Sequence, residues 1–537
     1  MTLSKNAQEK NELFKAIWQI ACETRGSGVT GWDFKSYILN TLFYRYISEK
    51  IVRDINKNEL ESGENPEFDY ASLSDEEVEE IDGFREEIIK DIGYFLYPSE
   101  LFQNVAANAA TNPNLNIKLS EVFKNIEESA KGTASEKCFS GLFNDFDLNS
   151  EGKLGNTLEK RNKKLASLLQ KIADIDFGGD YLDNNSDIFG DAYEYLMGMY
   201  ASDAGKKGGE FFTPQEVSEL LTKICVLGKK RVNKVYDLTC GSGSLLLKPA
   251  KILGKENVDI GYFGQEVNTT TYNLCRMNMI LHNIPYNKFD IACEDTLTNP
   301  IHYDDEPFEV IVSNPPYSVK WEGDNDITLI NDPRFSPAGV LAPKSKADFA
   351  FIMHADAWLA PNGVAAIVCF PGIMYRGGAE QKIRKYLVDN NRIDCIIQLP
   401  ENLFFGTSIA TCIMVLKKSK EDNKILFIDA SKEFLKETKQ NRLGPENIDS
   451  IMKIYSERKD VQHKAKLVDY TEISENKFNL SVSTYVEKED TREKIDIVEL
   501  NKKISEIVKK EERLRTEIDK IIAEIEGDID DETQTVN

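Results

Sequence analysis

In the stretch Lys234-Val-Tyr-Asp-Leu-Thr-Cys-Gly-Ser-Gly-Ser-Leu-Leu-Leu-Lys-Pro-Ala-Lys-Ile-Leu253, a short apolar strand is followed by a glycine turn and then by a helix. The strand is predicted over Lys234–Leu238 and the helix over Ser244–Leu253. Between them, Gly241 and Gly243 allow the backbone to turn sharply and to approach a ligand closely. A strand, a tight turn and a helix in this order begin a unit in which helices join parallel strands.

The same alternation continues on the carboxyl side of this stretch. Apolar runs predict strands at Ile260–Gly264, Phe308–Ser313, Val364–Phe370 and Ile393–Leu399, and helical patterns occur at Thr269–His282 and Asp348–Leu359. Strands that alternate with helices indicate a parallel sheet with helices on both faces. Two further runs, Thr407–Ala410 and Thr411–Leu416, predict an antiparallel pair of strands at the edge of that sheet.

The regions before and after the sheet have different patterns. Residues 1–165 are predicted to form a helical N-terminal domain, because apolar residues recur at helical spacing. The catalytic domain is predicted over 166–486, and residues 487–537 form a C-terminal helix with an acidic tail. That helix carries a coiled-coil-like apolar seam, interrupted once by Glu511. The seam residues are Ile497, Leu500, Ile504, Ile507, Leu514, Ile518, Ile521 and Ile525. The seam either pairs with a partner helix or folds back on its own domain.

The composition is that of a globular protein with an unusual charge. The chain has 537 residues, of which 41% are hydrophobic and 29% charged, and its formal net charge is −24. No run approaches the ~20 apolar residues of a membrane span, and the N-terminus is polar, so a cytoplasmic location is expected. The nine cysteines form no Cys-x-x-Cys pair and only four histidines are present, so no metal site is expected.

The acidic charge also limits how the chain can bind nucleic acid. Affinity for nucleic acid depends largely on Lys and Arg side chains that neutralise phosphates. A net charge of −24 therefore leaves three possibilities: another substrate, a local basic patch, or a partner that supplies much of the contact.

The glycine turn and the next strand indicate the kind of cofactor. A dinucleotide-binding turn would have a third glycine at position 246, where this chain has Leu246. Glu266 ends the second predicted strand, where a carboxylate can accept hydrogen bonds from both ribose hydroxyls of a nucleoside. A turn that begins at Asp237 without pyrophosphate geometry, followed by this acid, favours S-adenosylmethionine over NAD. Taken alone, the turn could also be an ordinary strand–turn–helix connection.

Asp295 follows the third predicted strand, which lies near Asp290–Ala292. An acid at that strand end could reach the adenine amino group of the cofactor. Equally, its side chain could cap the N-terminus of a helix. The residue pattern by itself leaves both roles open.

The chemistry is indicated by Asn314-Pro315-Pro316-Tyr317, which directly follows the apolar run Phe308–Ser313. Two consecutive prolines fix the backbone and remove two N–H donors, which leaves the Asn314 side-chain oxygen and the Pro315 carbonyl as acceptors. Two acceptors can hold the hydrogens of a conjugated amine, orient its lone pair and stabilise the positive charge that develops during methyl transfer. Tyr317 offers a flat face for stacking a flipped base. The segment therefore predicts methylation of an amino nitrogen.

Asn314-Pro-Pro-Tyr317, with the upstream glycine turn, resembles the amino-methyltransferases that make N6-methyladenine. The whole chain is most similar to the modification (M) subunit of type I restriction–modification systems. Further matching segments follow the family's order: Asp33–Ser48, Gly208–Gln215, Phe370–Glu380, Leu399–Ser408 and Phe478–Tyr485. One departure is Leu238, which stands where relatives often have proline.

The resemblance implies a fold and assigns roles to residues. The fold is an α/β Rossmann-like S-adenosylmethionine-dependent methyltransferase domain with a helical N-terminal domain and a C-terminal coiled-coil-like helix. Asn314 and Tyr317 would grip the target adenine, with Pro315 and Pro316 in the same catalytic segment. The cofactor-binding residues would be Glu210, Phe211, Phe212, Thr213, Pro214, Gln215, Asp237, Cys240, Gly241, Ser242, Gly243, Ser244, Glu266 and Asp295. The polar loop 318–346 is hypothesised to order only over DNA, with a mobile surface loop as the alternative.

The resemblance also implies partners. The expected function is N6-adenine methylation of double-stranded DNA with a flipped adenine, in complex with a specificity (S) subunit at two M per S, and with a restriction (R) subunit as a further possible partner. The alternatives are an N5-glutamine protein methyltransferase, which is much shorter, and a self-sufficient DNA adenine methyltransferase, which would need its own basic target-recognition region. A scaffold with a degenerate site conflicts with the completeness of the motifs. The recognised DNA sequence would be encoded in the partner.

Overall fold

The computed structural model of the protein describes residues 5–24, 29–63, 67–177, 187–204, 212–323, 326–405, 407–438, 440–489 and 497–533. The chain divides into two compact units, Met1–Glu487 and Lys488–Asn537. Across the described ranges, no helix has both the length and the apolar character that crossing a membrane requires.

The N-terminal region of the first unit is helical, as predicted. Helices α1 to α9 are Lys5–Thr24, Gly31–Ser62, Asp75–Glu79, Phe84–Ile92, Phe102–Asn108, Leu115–Ala130, Glu136–Phe139, Glu151–Leu154 and Leu158–Ala173. The long helix α2 begins where the Thr30 side chain accepts a hydrogen bond from the Asp33 backbone N–H. It ends at Gly63, whose φ of +76° suits glycine. Most of its apolar side chains, Leu42 among them, are buried, and α2 packs against α1, α5 and α9.

A mixed sheet of nine strands is the centre of the remaining chain within the described ranges. Strands β1 to β8 are Val232–Asp237, Val258–Glu266, Phe289–Cys293, Phe308–Ser313, Leu359–Cys369, Ile393–Gln398, Cys412–Lys417 and Ile425–Asp429. The ninth strand of the sheet is β11, Ala465–Val468, while β9 (Leu435–Lys436) and β10 (Asn441–Arg442) form a separate hairpin. The order across the sheet is β11-β8-β6-β7-β5-β4-β1-β2-β3. From β5 to β3, neighbouring strands are parallel.

The predicted strands are confirmed, but the predicted antiparallel edge is wrong. Residues 407–411 form no strand, and β7 lies inside the sheet, antiparallel to both β5 and β6. The outer strands are β3 and β11. A strand covered on both faces is apolar without alternation, and β7 is buried at every position but its last. Its sequence therefore matches its interior position, while its order in the sheet depends on long-range pairing.

Helices cover both faces of the sheet. Helices α10 to α18 are Ile188–Ala204, Gln215–Cys225, Ser244–Leu253, Thr269–Leu281, Asp348–Trp358, Ala379–Asp389, Pro445–Glu457, Tyr470–Glu475 and Val482–Tyr485. After the register shift with β5 between Phe308 and Val310, successive residues of β4 belong to different buried clusters: Val310 and Val312 to one, Ile311 to the other. This period of two is what a strand buried on both faces requires. It also fixes the direction in which β4 ends, at Ser313.

The polar loop between Ser318 and Lys346 is packed at its described residues. The Trp321 and Phe335 rings lie 5.5 Å apart. The buried Arg334 guanidinium donates hydrogen bonds to the carbonyls of Thr296 and Leu297. Both expectations for this loop, order only over DNA and a mobile surface loop, are therefore wrong for its described residues, because contacts within the protein hold them.

The second unit contains helix α19, Ile497–Thr533. All its described side chains between residues 497 and 525 are exposed, and the apolar seam is among them: Ile504 is 49% and Ile518 55% exposed. Long runs of exposed apolar side chains mark interaction surfaces. The pairing of this seam with another helix stays a prediction.

We expect Gly190→Ala to destabilise the protein. Gly190 lies in α10 against the ring of His282, and an added Cβ would come within 2.5 Å of the ring carbon Cε1. His282 is only 1% exposed, so its ring has little room to move. Overpacking of this kind costs about 1–3 kcal/mol of the free energy of unfolding, which thermal or urea denaturation would measure.

Gly198→Ala, in the same helix, is the matched control. There the added Cβ would lie 3.4 Å from the Phe212 ring, which is an ordinary contact. Because alanine favours helix by about 1 kcal/mol over glycine, this variant should be as stable as the original chain or more so. Equal stability of the two variants would contradict the close packing of Gly190 on His282.

Candidate active site

Three neighbouring parallel strands bring the candidate residues to one edge of the sheet. Strand β1 lies between β2 and β4 and runs parallel to both. Their carboxyl ends therefore lie side by side and carry Asp237 on β1, Glu266 on β2 and Ser313 on β4. The chain order reverses at β1, and open parallel sheets bind their ligands outside the carboxyl ends of the strands at such a point.

The glycine turn after β1 has the strained backbone that its sequence indicates. Gly241 has a φ of +54° and Gly243 of +82°. A Cβ on Gly243 would lie 2.8 Å from the Cys275 sulfur, so this position has both a conformational and a steric reason for glycine. The Asn278 side chain donates a hydrogen bond to the Ser242 carbonyl at 3.0 Å, which fixes the turn against α13. Ser244 then begins α12.

Glu266 links the glycine turn to the end of β2. One of its carboxylate oxygens accepts a hydrogen bond from the Gly241 N–H at 3.1 Å, and the other accepts from the Asn268 N–H at 2.8 Å. Burial raises the pKa of Glu266, and these backbone N–H groups oppose that rise. A carboxylate oxygen has more than one acceptor position, so each can also accept a ligand hydroxyl. The geometry suits an acid that holds a ribose beside the turn.

Asp237 is fully buried and joins β1 to β4. Its Oδ1 accepts hydrogen bonds from the Ser313 hydroxyl at 2.6 Å and from the Thr239 N–H at 3.0 Å. The Thr239 and Ser313 hydroxyls are themselves 2.9 Å apart. The second oxygen, Oδ2, is buried without a hydrogen-bond partner in the structure. Burial raises the pKa of Asp237 to about 7, although the hydrogen bonds from Ser313 and Thr239 lower it.

Asn314 begins the segment that follows β4, and both ends of its side-chain amide have partners. Its Nδ2 donates a hydrogen bond to the Thr213 hydroxyl at 3.1 Å. Its Oδ1 accepts one from the Tyr317 hydroxyl at 2.9 Å. Burial raises the pKa of the Tyr317 phenol, so it is a neutral hydroxyl at neutral pH. An amide oxygen has two lone pairs, so Oδ1 has one left for a substrate amine.

The structure also places most of the other predicted cofactor residues. Phe212, Thr213 and Pro214 directly precede α11, which begins at Gln215. Cys240 is buried, and its N–H donates to the Gln265 carbonyl at 3.0 Å. Glu210 and Phe211 lie outside the described residues.

Asp295 lies in a turn after β3 and not at the start of a helix. The prediction that it caps a helix is therefore wrong: its Oδ1 accepts a hydrogen bond from the Leu297 N–H at 2.8 Å within this turn. The side chain is half-buried at the same edge of the sheet as Glu266, and the Glu294 N–H donates to the Glu266 carbonyl. One of the two carboxylate oxygens of Asp295 thus holds the turn through this hydrogen bond.

A cleft of about 860 Å³ adjoins the Thr213 segment. Phe212, Pro214 and Gln215 form one wall, and the others come from α1, α10, α12 and the β9–β10 hairpin. The Phe212 ring lies 6.3 Å from that of Phe405, which also lines the cleft. Phe212, which directly precedes Thr213, the hydrogen-bond partner of Asn314, therefore lies on the cleft side of the catalytic segment.

One group of side chains in the described chain has the spacing of metal ligands. Ligand atoms of Asp191, Glu194 and His282 lie within 4.8 Å of one another. However, the ammonium of Lys251 lies 2.7 Å from a carboxylate oxygen of each acid. The lysine thus supplies the positive charge that these carboxylates require, and the group is an ion-pair cluster between α10 and α12.

The residues at the sheet edge fit S-adenosylmethionine. The turn has no Cβ at Gly241 or Gly243, Glu266 presents a carboxylate beside it, and Asn314 lies at the end of the adjacent strand. Sequence reasoning missed Ser313, Thr239 and Asn278, which hold these groups in place. For Ser313, the signal was available, because a polar residue ends an otherwise apolar strand immediately before Asn314.

Comparisons with known proteins identify the family of the chain. The model of the N-6 DNA Methylase family matches residues 184–494, and that of the HsdM N-terminal domain matches residues 13–172. The methylase subunit of the type I restriction enzyme MpnII from Mycoplasma pneumoniae is 49% identical over 540 residues, with 98% of each chain covered.

Solved structures give the same result. The methyltransferase subunit of a type I restriction–modification system from Streptococcus thermophilus has 37% sequence identity and a TM-score of 0.79, covering 89% of this chain and 100% of that one. A chain from a study of complex assembly and conformational transition of the type I R-M system has 18% identity and a TM-score of 0.59, covering 94% of this chain and 98% of that one. The latter shows the fold alone.

The sheet and its edge thus define the class of Rossmann-like methyltransferases with an Asn-Pro-Pro-Tyr segment. Within that class, the chain belongs to the N-6 DNA methylase family, as a relative of the methylase subunits of type I restriction enzymes.

We expect Asp237→Asn to change how stability depends on pH. Burial raises the pKa of Asp237 to about 7 in the folded state, whereas the ordinary value for an aspartate is 3.8, so between these values the folded state binds a proton that the unfolded state has lost. The original chain therefore loses stability as the pH rises through this window, and the asparagine variant does not. From pH 5 to pH 8 the variant should gain about 2 kcal/mol relative to the original, by calorimetry or urea denaturation. A stability difference that is constant across this range would contradict the burial of a shifted carboxyl.

Proposed function

We propose that this chain transfers a methyl group from S-adenosylmethionine to the N6 amino group of adenine in DNA, as the methylating subunit of a type I restriction–modification system. The observation that carries the proposal is the position of the Asn314 amide, at the end of β4 and beside the glycine turn of β1. Family membership supports the reaction, and the hydrogen bonds among the site residues support the residue roles.

The proposed chemistry depends on acceptors and not on a base. When bound, S-adenosylmethionine supplies an electrophilic methyl group. Asn314 Oδ1 and the Pro315 carbonyl accept hydrogen bonds from the two hydrogens of the adenine amine, which directs the nitrogen lone pair outward. As the nitrogen–carbon bond forms and the sulfur–methyl bond of the cofactor breaks, these acceptors would stabilise the positive charge on nitrogen until its proton passes to water. Pro315 and Pro316 offer no N–H that would compete, and the Tyr317 ring stacks on the flipped base.

The proposed cofactor site uses the residues around the edge of the sheet. Glu266 would hold the ribose, and the turn Cys240–Ser244 would lie against the cofactor, with Asp237 beneath it. Asp295 would reach the adenine of the cofactor with the oxygen that does not cap its turn. The segment Glu210–Gln215 would enclose the methionine end. The hydrogen bonds from the Gly241 N–H to Glu266 and from Asn314 Nδ2 to the Thr213 hydroxyl support this arrangement.

We propose that the chain has three parts: residues 1–165 as a helical domain, 166–486 as the catalytic domain, and 487–537 as a helix for a partner. The family matches at 13–172 and 184–494 support the first division, and the separation of Lys488–Asn537 as a unit supports the second. A DNA substrate also accords with the cytoplasmic location expected from the sequence.

The proposed partner is a specificity subunit, with two methylating subunits for each specificity subunit, and a restriction subunit is a further partner of such systems. The net charge of −24 supports a partner that supplies much of the contact with DNA, because a strongly acidic chain binds DNA poorly alone. The exposed apolar seam of α19 supports a helical partner. In this arrangement the partner reads the DNA sequence, and this chain receives the flipped adenine.

We expect Asn314→Ala to abolish methylation by the complex with the neighbouring specificity subunit. Loss of the side-chain acceptor removes the group that orients the amine, and removing one such group costs about 100- to 1000-fold in rate. The measurement is incorporation of labelled methyl groups into plasmid DNA free of N6-methyladenine, followed by mapping of the modified bases.

The matched control is Asn233→Ala, which removes the same side chain at an exposed position near the amino end of β1. This variant should keep full activity. N6-methyladenine that persists in the Asn314→Ala complex would rule out the catalytic assignment. Methylation of glutamine in a protein, with none in DNA, would favour the protein methyltransferase instead.

We expect the double variant Ile504→Glu, Ile518→Glu to weaken assembly with the specificity subunit. Both residues belong to the seam of α19, and charged groups in a helix seam prevent its burial. The control Lys509→Gln, Lys520→Gln lies off the seam and changes the net charge by the same amount. Size-exclusion chromatography of co-expressed subunits would show the difference. An intact complex with both variants would indicate that the seam folds back on its own chain.

A further inference from the structure

The side-chain amide of Asn314 has two unlike ends, and only one of them can do the proposed chemistry. The oxygen accepts hydrogen bonds, whereas the Nδ2 group only donates them. An amine that approaches the Nδ2 end would meet a second donor, and its lone pair would not be directed toward the methyl group. The direction in which this amide points is therefore a requirement of the reaction.

We propose that Thr213 is the positioning residue that sets this direction, by holding Asn314 Nδ2 so that Oδ1 faces the target amine. This inference rests on the proposed function. It gives Thr213 a role beyond contact with the cofactor, which is what the family resemblance implies for it. The observation behind it is the 3.1 Å hydrogen bond from Nδ2 to the Thr213 hydroxyl oxygen.

Thr213 is well placed for this role because its surroundings are rigid. It is 6% exposed, and it directly precedes Pro214 at the start of α11. The Pro214 carbonyl accepts hydrogen bonds from the N–H groups of Val217 and Ser218, both at 3.0 Å, which fixes the backbone next to Thr213. Helix α11 in turn packs on β4 and β5. The donor and the acceptor of the bond are thus both held by the same strand.

Asn314 is fixed from its other side as well. Ser313, its neighbour in the chain, donates a hydrogen bond to the buried Asp237 at 2.6 Å. With the backbone held there, the remaining freedom of Asn314 is the rotation of its amide. Tyr317 holds one end of that amide, because its hydroxyl donates to Oδ1 at 2.9 Å. Thr213 adds the second contact, and a flip of the amide would require both hydroxyls to reverse.

Substitution of Thr213 by valine or by serine distinguishes a positioning role from its other roles, because each keeps one feature of threonine. Valine keeps the branched shape of threonine but offers no acceptor, so the half-buried Nδ2 group would lose its partner. Serine keeps the hydroxyl and loses only a methyl group. A role in packing predicts that serine is the more harmful change, and a role in positioning predicts the opposite.

We expect Thr213→Val, in the complex with the specificity subunit, to lower kcat at saturating S-adenosylmethionine by about 10- to 100-fold. The dissociation constant for S-adenosylmethionine, measured by calorimetry without DNA, should change less than about threefold, because valine keeps the branched shape of threonine. A tenfold change would instead mean that contacts with the cofactor were lost. Thr213→Ser should restore kcat to within about threefold of the original chain. Initial rates on plasmid DNA free of N6-methyladenine provide the kinetic values.

Three results would overturn the inference. A normal kcat with a raised KM for S-adenosylmethionine would mean that Thr213 only binds the cofactor. A loss in the serine variant that equals or exceeds the loss in the valine variant would mean that the hydroxyl does not position Asn314. If the valine variant fails to fold, as judged by its melting temperature, Thr213→Ala replaces it, and a normal kcat there would equally refute the role.

The same series separates this inference from the proposed function. If the original complex does not methylate adenine in DNA, the proposed function fails, and with it the basis for the inference. If the original complex methylates DNA and Asn314→Ala abolishes that activity while Thr213→Val keeps a normal kcat, only the positioning role fails.

Discussion

The hydrogen bond between Ser313 and Asp237 joins the ends of two strands that are far apart in sequence. It exists because β1 and β4 are neighbours in the sheet, although β2 and β3 lie between them in the chain. This adjacency brings the glycine turn after β1 and the Asn-Pro-Pro-Tyr segment after β4 to the same place. In the proposed reaction, the cofactor would lie against the first and the amine against the second, and such positioning accelerates a two-substrate reaction.

The proposed catalytic segment is held in place by two elements, and each of these is fixed by its own packing or hydrogen bonds. β4 is buried on both faces, so the place where it ends is fixed by packing on two sides. The start of α11 is fixed by its first hydrogen bonds and by its contact with the same strand. Asn314 lies between these two elements, and its amide bonds to a residue of each neighbouring segment. Sites on such elements hold reacting groups more closely than sites on loops.

The acidic charge of the chain fits a protein that would carry out methyl transfer while a partner subunit recognises the DNA sequence. Apart from the catalytic edge, the chain offers an exposed apolar seam on α19, which is the kind of surface that a helical partner covers. Such an arrangement makes the affinity for DNA a property of the assembled complex. It also explains why the features at the sheet edge concern a nucleoside cofactor and an amine, and not a base sequence.

The sequence by itself determined the fold class, the strands around the site and the place of the Asn314–Tyr317 segment directly after β4. Local rules suffice for these: apolar runs mark buried strands, glycine at 241 and 243 marks a left-handed turn, and two prolines after a strand leave only acceptors. The approximate place of Glu266 at a strand end also followed from its pattern.

Only the tertiary structure decided which of these pieces meet. It placed β7 inside the sheet and not at its edge, and it packed the loop after Tyr317 against the protein. It also showed that Asn314 is held by Thr213, a residue about one hundred positions earlier in the chain, and that Ser313 is bonded to Asp237. Contacts of this kind depend on the order of strands in the sheet, and that order is set by the packing of distant segments, which no local pattern records.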